Sequence, residues 1–477
     1  MTQITRRRFN HTTRSSHLSK DKIVALISFL LLVVCACTTV ISYLFLPDID
    51  DVDIRNDPLF SEDQNPPRDL GILKMIRQRR REAKTQKKDR KVIIEEERRP
   101  QDNSQDPLDD DTDTVSKYDA FRKEYDEVLP FETKEDTQRL YDFVEELRKP
   151  KHELKSGLQS GLPYDINNCP EEPPKGYPIE WPLLDVLNNW KPNNISASFR
   201  PGIYQGLCRF DFGTEMHKAE KYRSAELPFL LRDDPQILKV VERWNQPDYL
   251  SEILGKDVKY HTEYSDTNSL MFYRSKQDTP IGWHAPMSSV QMTYDEWELK
   301  ASQSEEDMGP DKPHYYFRVN AKGGNDHFMF KELPFFLPEE NFYIVDTQNT
   351  RGINCRFGML GNTAAAHFDG SRNFVMLFGG ERRYILSHPR NCPNLALYPR
   401  NHPSGRHSAT DWSNPDLEMY PEFFQGAANE VVLQAGDVLY LPTQWFHYIV
   451  SLDLNWQCNA RSGMTNDYQR HIRKCGF

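Results

Sequence analysis

Gly358-Met359-Leu360-Gly361-Asn362-Thr363-Ala364-Ala365-Ala366-His367-Phe368-Asp369-Gly370-Ser371-Arg372-Asn373-Phe374 is the stretch on which the reading of this 477-residue chain turns. It carries His367 and Asp369 two residues apart. On a β-strand, alternate side chains share a face, so both can point inward from one strand end while Phe368 points the other way. Some 80 residues on, Gly436-Asp437-Val438-Leu439-Tyr440-Leu441-Pro442-Thr443-Gln444-Trp445-Phe446-His447 supplies a turn, a buried strand, an aromatic pair and a second histidine. Two imidazoles and one carboxylate hold ferrous iron on one face and leave three coordination positions open. A His-x-Asp pair alone carries little weight in a chain with 14 histidines. Its weight comes from the surrounding strand and turn signals.

Around these motifs the texture is that of a mainly β domain. Short apolar runs recur between turn residues at 228–231, 269–273, 315–319, 342–345, 374–378, 383–386, 430–433 and 438–441. This is the pattern of a sandwich or barrel of short strands. Helices are predicted at 235–244 and 295–301. Gly379-Gly380 between two runs suggests a hairpin, with Arg383 its solvent-facing cation. The turn-rich segment 391–425 is expected to overhang the metal and to help set specificity.

The same motifs resemble the cupin-like branch of the JmjC-domain proteins, which are Fe(II)- and 2-oxoglutarate-dependent oxygenases. The stretch 358–374 is similar to the asparaginyl hydroxylase type that acts on hypoxia-inducible factor, as are Tyr398-Pro399, Asn414-Pro415-Asp416, Gly436 to Pro442 and Trp445-Phe446-His447. The resemblance covers about residues 220–465. It implies a double-stranded β-helix, or jelly-roll, with flanking helices. It implies Fe(II) on His367, Asp369 and His447, with Tyr316, Asn373 and Asn459 around 2-oxoglutarate. The family's lysine for the far carboxylate is replaced by Arg382, and its threonine three residues before the first histidine by Ala364. An arginine clamps a carboxylate bidentately but aims differently from a lysine, and a surface role for Arg382 beside Glu381 is the competing reading. The implied reaction is hydroxylation of a protein side chain, with 2-oxoglutarate decarboxylated to succinate. A non-catalytic binding module and a metal-dependent cupin that does not use 2-oxoglutarate are the alternatives.

The first hundred residues read differently. Residues 23–46 are apolar and free of charge, long enough to cross a bilayer and longer than a signal h-region. Residues 1–22 hold six cations and one acid, residues 47–66 seven acids and one cation. The positive flank stays cytosolic. The chain is therefore expected to be a type II single-pass membrane protein with a lumenal or extracellular body in the Golgi or endoplasmic reticulum. The organisation predicted is a cytosolic tail (1–22), a transmembrane signal anchor (23–46), a charged low-complexity stalk (47–116), a helical and proline-rich lead-in (117–199) and the catalytic domain (200–477). Residues 74–99 carry twelve cations against five acids. Behind an anchor, in a chain of net charge −11, they read as solvated stalk rather than a nucleic-acid site. Within the lead-in, helices split near Pro130 are expected. Six cysteines follow the anchor, enough for three disulfides in 15 possible connectivities. Asn194-Ile195-Ser196 is a glycosylation sequon. A protein or peptide substrate is expected; the oligomeric state is left open.

Overall fold

The computed structural model describes residues 111–477, except 130, 132, 150–161, 197–198, 200, 275–278 and 323–326. The cytosolic tail, the anchor and nearly all of the stalk lie outside the described residues. Among the described residues, no helix is long and apolar enough to cross a membrane.

Fifteen strands are described: β1 (Trp181–Pro182), β2 (Arg209–Asp211), β3 (Phe229–Arg232), β4 (Tyr260–Ser265), β5 (Ser269–Leu270), β6 (Ser288–Met292), β7 (His314–Ala321), β8 (Thr350–Gly358), β9 (Thr363–Phe368), β10 (Asn373–Gly379), β11 (Arg382–Ser387), β12 (Ala427–Leu433), β13 (Val438–Leu441), β14 (Phe446–Ser451) and β15 (Asn455–Ser462). They form a six-stranded sheet, β1-β12-β11-β14-β9-β5, and a nine-stranded sheet, β2-β3-β13-β10-β15-β8-β7-β4-β6. This is the mainly β, two-sheet architecture that the strand pattern predicts, and it fits the jelly-roll that the resemblance implies.

Alternation sorts the side chains into layers. Val375, Leu377, Leu439 and Leu441 of the nine-stranded sheet meet Tyr384, Leu386, Val431, Leu433 and Ile449 of the other, in a core between the sheets. The intervening residues Phe374, Met376, Phe378, Val438 and Tyr440 face outward, where helices cover them. The helix Pro235–Trp244 is one such cover. Asp234 caps it by accepting from the Gln236 N–H, and Pro235 occupies its first turn, a position that has no use for a donor. The helices Asp111–Val128 and Lys134–Arg148 break on either side of Pro130, as expected. A reciprocal Thr133–Asp136 capping box opens the second. In the lead-in, β1 adds to the edge of the six-stranded sheet through β12.

Two expectations fail for physical reasons. Gly379-Gly380 does not close a hairpin: β10 pairs with β13 and β15, whereas β11 pairs with β12 and β14. The chain turns a corner from one sheet to the other. A Cβ on Gly379 would meet the Trp456 ring at 2.0 Å, and Gly380, at φ +69°, would meet the Leu454 carbonyl at 2.0 Å. Glycine is needed here for close approach, not for a tight two-residue loop. Residues 342–345 form no strand. The Asn341 side chain accepts from the backbone N–H groups of Tyr343 and Ile344 at 2.7 and 3.0 Å, and so takes two donors that a ladder would need. The predicted strand at 269–273 is confined to Ser269–Leu270.

All six cysteines after residue 46 are paired: Cys169 with Cys208, Cys355 with Cys458, and Cys392 with Cys475. The second pair joins directly opposed residues of β8 and β15. The first ties the lead-in to the domain.

Candidate metal centre

The strands β9 and β14 run antiparallel with His367 directly opposite His447. Asp369 follows one residue after the end of β9. The two rings have centroids 4.2 Å apart, and one ligating atom from each of the three residues lies within 4.8 Å of the others. Residues 80 positions apart thus converge as their motifs predict. A bulge in β9 adds to this: His447 pairs with His367, but Ile449 pairs with Ala364. The extra residue shifts the parity of the strand. Ala364 therefore shares the cavity face with His367 although three positions precede it. Thr363 points away and meets Asn268 instead.

The ligand atoms are in the state that a divalent metal needs. His367 Nδ1 lies 2.8 Å from the Ala365 carbonyl and His447 Nδ1 3.1 Å from the Trp445 carbonyl. Those carbonyls take the ring N–H groups and leave both Nε2 atoms as acceptors toward each other and Asp369. Burial, reinforced for His367 by His447 and His407, pushes both imidazoles below their ordinary range. For Asp369, burial alone would raise the carboxyl; Arg461, followed by the histidines and Arg406, overrides it and holds the carboxyl below its usual range. Neutral imidazoles and an ionised carboxylate are the ligating forms. Asp369 Oδ2 is buried without a hydrogen-bond partner, although an Arg461 guanidinium nitrogen lies 2.5 Å away and His447 Nε2 3.9 Å away. A buried carboxylate oxygen without an aligned donor calls for a partner, and a cation between it and the two Nε2 atoms fits.

The centre opens on a cavity of about 530 Å³ between the sheets. Of the remaining predicted site residues, Tyr316, Asn373 and Asn459 line it, and Asn459 donates to Asn373 Oδ1 at 2.9 Å. Arg382 does not reach its surface. It is fully buried behind Tyr316 and Gln457, donating to Tyr316 Oη at 2.9 Å, Gln457 Oε1 at 2.8 Å, the Asn455 side chain and the Arg356 carbonyl. The surface role beside Glu381 is excluded. Arg383 is not solvent-facing either. It is buried, paired with Glu430 at 2.6 Å and laid over the Trp190 ring at 4.6 Å, because the lead-in covers that face of the sheet.

Sequence reasoning missed Arg461, Gln457 and His407. The first two were findable, since residues 457, 459 and 461 alternate onto one face of β15. No local signal marks His407. The segment between β11 and β12 brings it back to stack on His367, with ring centroids 4.9 Å apart. Arg406 from the same segment stands 3.6 Å from Asp369. These two residues bring the segment 391–425, expected to overhang the metal and help set specificity, against the candidate ligands.

Comparison with known proteins agrees with this geometry. A family model described as "Cupin-like domain" matches residues 215–465. The chain is 37% identical over 95 residues, 20% of its length, to chicken (Gallus gallus) tRNA wybutosine-synthesizing protein 5. It is 28% identical over 128 residues, 25% of its length, to the Arabidopsis thaliana lysine-specific demethylase JMJ31. It is 30% identical over 138 residues, 27% of its length, to lysine-specific demethylase 8 of Xenopus tropicalis. The chain spans 28%, 23% and 30% of these relatives' own lengths.

Proposed function

Because this chain belongs to the cupin-like domain family, we propose that it is an Fe(II)- and 2-oxoglutarate-dependent oxygenase that hydroxylates a side chain of a protein in the secretory lumen. One observation carries the reading: two imidazoles and the Asp369 carboxylate converge on a cavity wall, their ligating atoms within 4.8 Å of one another. His367, Asp369 and His447 hold the iron. When bound, iron and 2-oxoglutarate supply the oxidant that inserts oxygen into a substrate C–H bond. The chain supplies geometry. The Ala365 and Trp445 carbonyls fix the ring orientations, and Arg461 steadies Asp369. Asn373 and Asn459 present amides to the cosubstrate, and Tyr316, backed by Arg382, presents a hydroxyl. Val375, Leu441 and Ile449 keep the inner wall dry.

The lumenal placement is supported by the charge asymmetry about residues 23–46 and by the pairing of every later cysteine, which fits an oxidising compartment. The test is succinate formation from 2-oxoglutarate by the purified chain with Fe(II) and ascorbate, against His367→Ala. Equal rates in the two proteins would remove the oxygenase reading. A second reading, a metal-dependent cupin without 2-oxoglutarate, is favoured by one feature, the burial of Arg382 behind the cavity wall. Stoichiometric iron without succinate selects it. Absence of both selects a non-catalytic binding module.

A further inference from the structure

Six arginines line or rim the metal cavity: Arg274, Arg318, Arg351, Arg356, Arg406 and Arg461. Two carboxylates face them, Glu263 and Asp369. Six against two leaves an excess of four positive charges. The chain as a whole is net −11, so composition does not explain this concentration. Nor does the chemistry proposed above consume it: a ferrous ion adds two charges and a 2-oxoglutarate dianion removes two.

The arginines are placed at a cost. Arg318 on β7 stands directly opposite Arg356 on β8, and like charges across neighbouring strands are destabilising. Glu263 pairs with Arg318. Burial, with Arg318 beside it, pushes Arg356 down to about 9. Arg318 Nε and Arg461 Nε are buried without hydrogen-bond partners. Arg274 and Arg351 are exposed at the mouth. A wall that holds half-buried cations opposed, in excess over carboxylates and with two guanidinium Nε–H groups unmet, suits an anion that arrives from outside.

We propose that the substrate is an acidic peptide segment, its carboxylate side chains received by Arg318 and Arg356 inside the cavity and by Arg351 and Arg274 at its mouth. The word substrate rests on the oxygenase reading; the binding does not. A peptide fits better than a nucleic acid. The arginines surround a half-open cavity of about 530 Å³ between the sheets. Of the lining aromatic rings, Tyr316 and Tyr384 are 8% and 1% exposed, and Phe272 alone is open, at 43%; one open ring falls short of the row of stacking platforms that single-strand binding needs.

The experiment uses the purified full chain and paired fluorescent peptides that differ only in Glu and Asp against Gln and Asn, read by anisotropy. The acidic peptide is expected to bind at least about tenfold more tightly than its amide twin, as charge-assisted hydrogen bonds predict. That advantage should shrink as salt rises above about 0.15 M. Arg356→Gln and Arg351→Gln should each remove most of it; the second is exposed and keeps the test valid if the first misfolds. Equal binding of the two peptides, or indifference to Arg351→Gln, overturns the proposal, as does tighter binding of a single-stranded RNA of equal charge. His367→Ala should retain the acidic preference. Binding without succinate formation therefore sinks only the oxygenase reading, and succinate formation without acidic preference sinks only this one.

Discussion

Arg382 and Arg383 are neighbours in sequence, yet they are buried on opposite faces of β11. Arg382 braces Tyr316 and Gln457 behind the cavity, while Arg383 pairs with Glu430 beneath the lead-in. Removing one member of a buried pair strands the other. Arg383→Met should therefore cost about 3–5 kcal/mol in urea denaturation, and adding Glu430→Gln should recover most of it. His388 makes a pH prediction. Burial, then Arg390 and His471, pushes it down to about 3, and its Nδ1 accepts from the Arg390 N–H at 2.9 Å. Below about pH 6.5 the unfolded chain takes up a proton that the folded one refuses. Stability is thus full above pH 6.5 and falls as pH drops toward 3. His388→Gln should show a shallower fall in thermal midpoint between pH 6.5 and 4; parallel curves for the two proteins would refute this. The metal ligands were legible in the sequence because each sits in a local motif. Arg383 reads as solvent-facing in the sequence because nothing nearby announces that Trp190 covers it.

At the scale of elements, runs of apolar residues locate most strands, and the helices expected at 235–244 and 295–301 form as Pro235–Trp244 and Tyr294–Ala301. Partners were harder to read. The corner at Gly379-Gly380 reads as a hairpin in the sequence because glycine marks both, and the Trp456 and Leu454 contacts distinguish them. Gly380→Ala should lower stability by roughly 2–4 kcal/mol, since both a positive φ and a 2.0 Å contact oppose it. Unchanged denaturation would show that the corner can relax. The bulge in β9 was equally hidden, because a shift of parity leaves no compositional trace. It makes a second prediction. Ala364→Thr adds a hydroxyl on the cavity face at a half-buried position that borders the inter-sheet core, so 2-oxoglutarate should bind more tightly by calorimetry at little cost in stability; weaker binding by a folded variant would count against the assigned face.

For the whole molecule, the disulfides and the sequon bear on where it matures. Replacing Cys355 and Cys458 by serine opens a closure of 103 residues and should cost about 4–5 kcal/mol, read from the denaturation midpoint without reductant. If the body is lumenal, Asn194 carries a glycan. A glycosidase should then shift the mobility of the wild type and leave Asn194→Gln unmoved; no shift in either would weigh against that placement. The six cysteines announced disulfides, but their connectivity waited on the fold, because it depends on which strands meet. The same dependence governs the proposed iron ligands. His367 and His447 face each other rung for rung on adjoining strands, and a slide of one residue would turn one imidazole to the wrong side. An ion that demands both rings therefore proofreads the pairing. Iron content per chain becomes a gauge of correct assembly, and cells starved of the ion should accumulate slipped, inactive protein rather than a well-formed apoprotein alone.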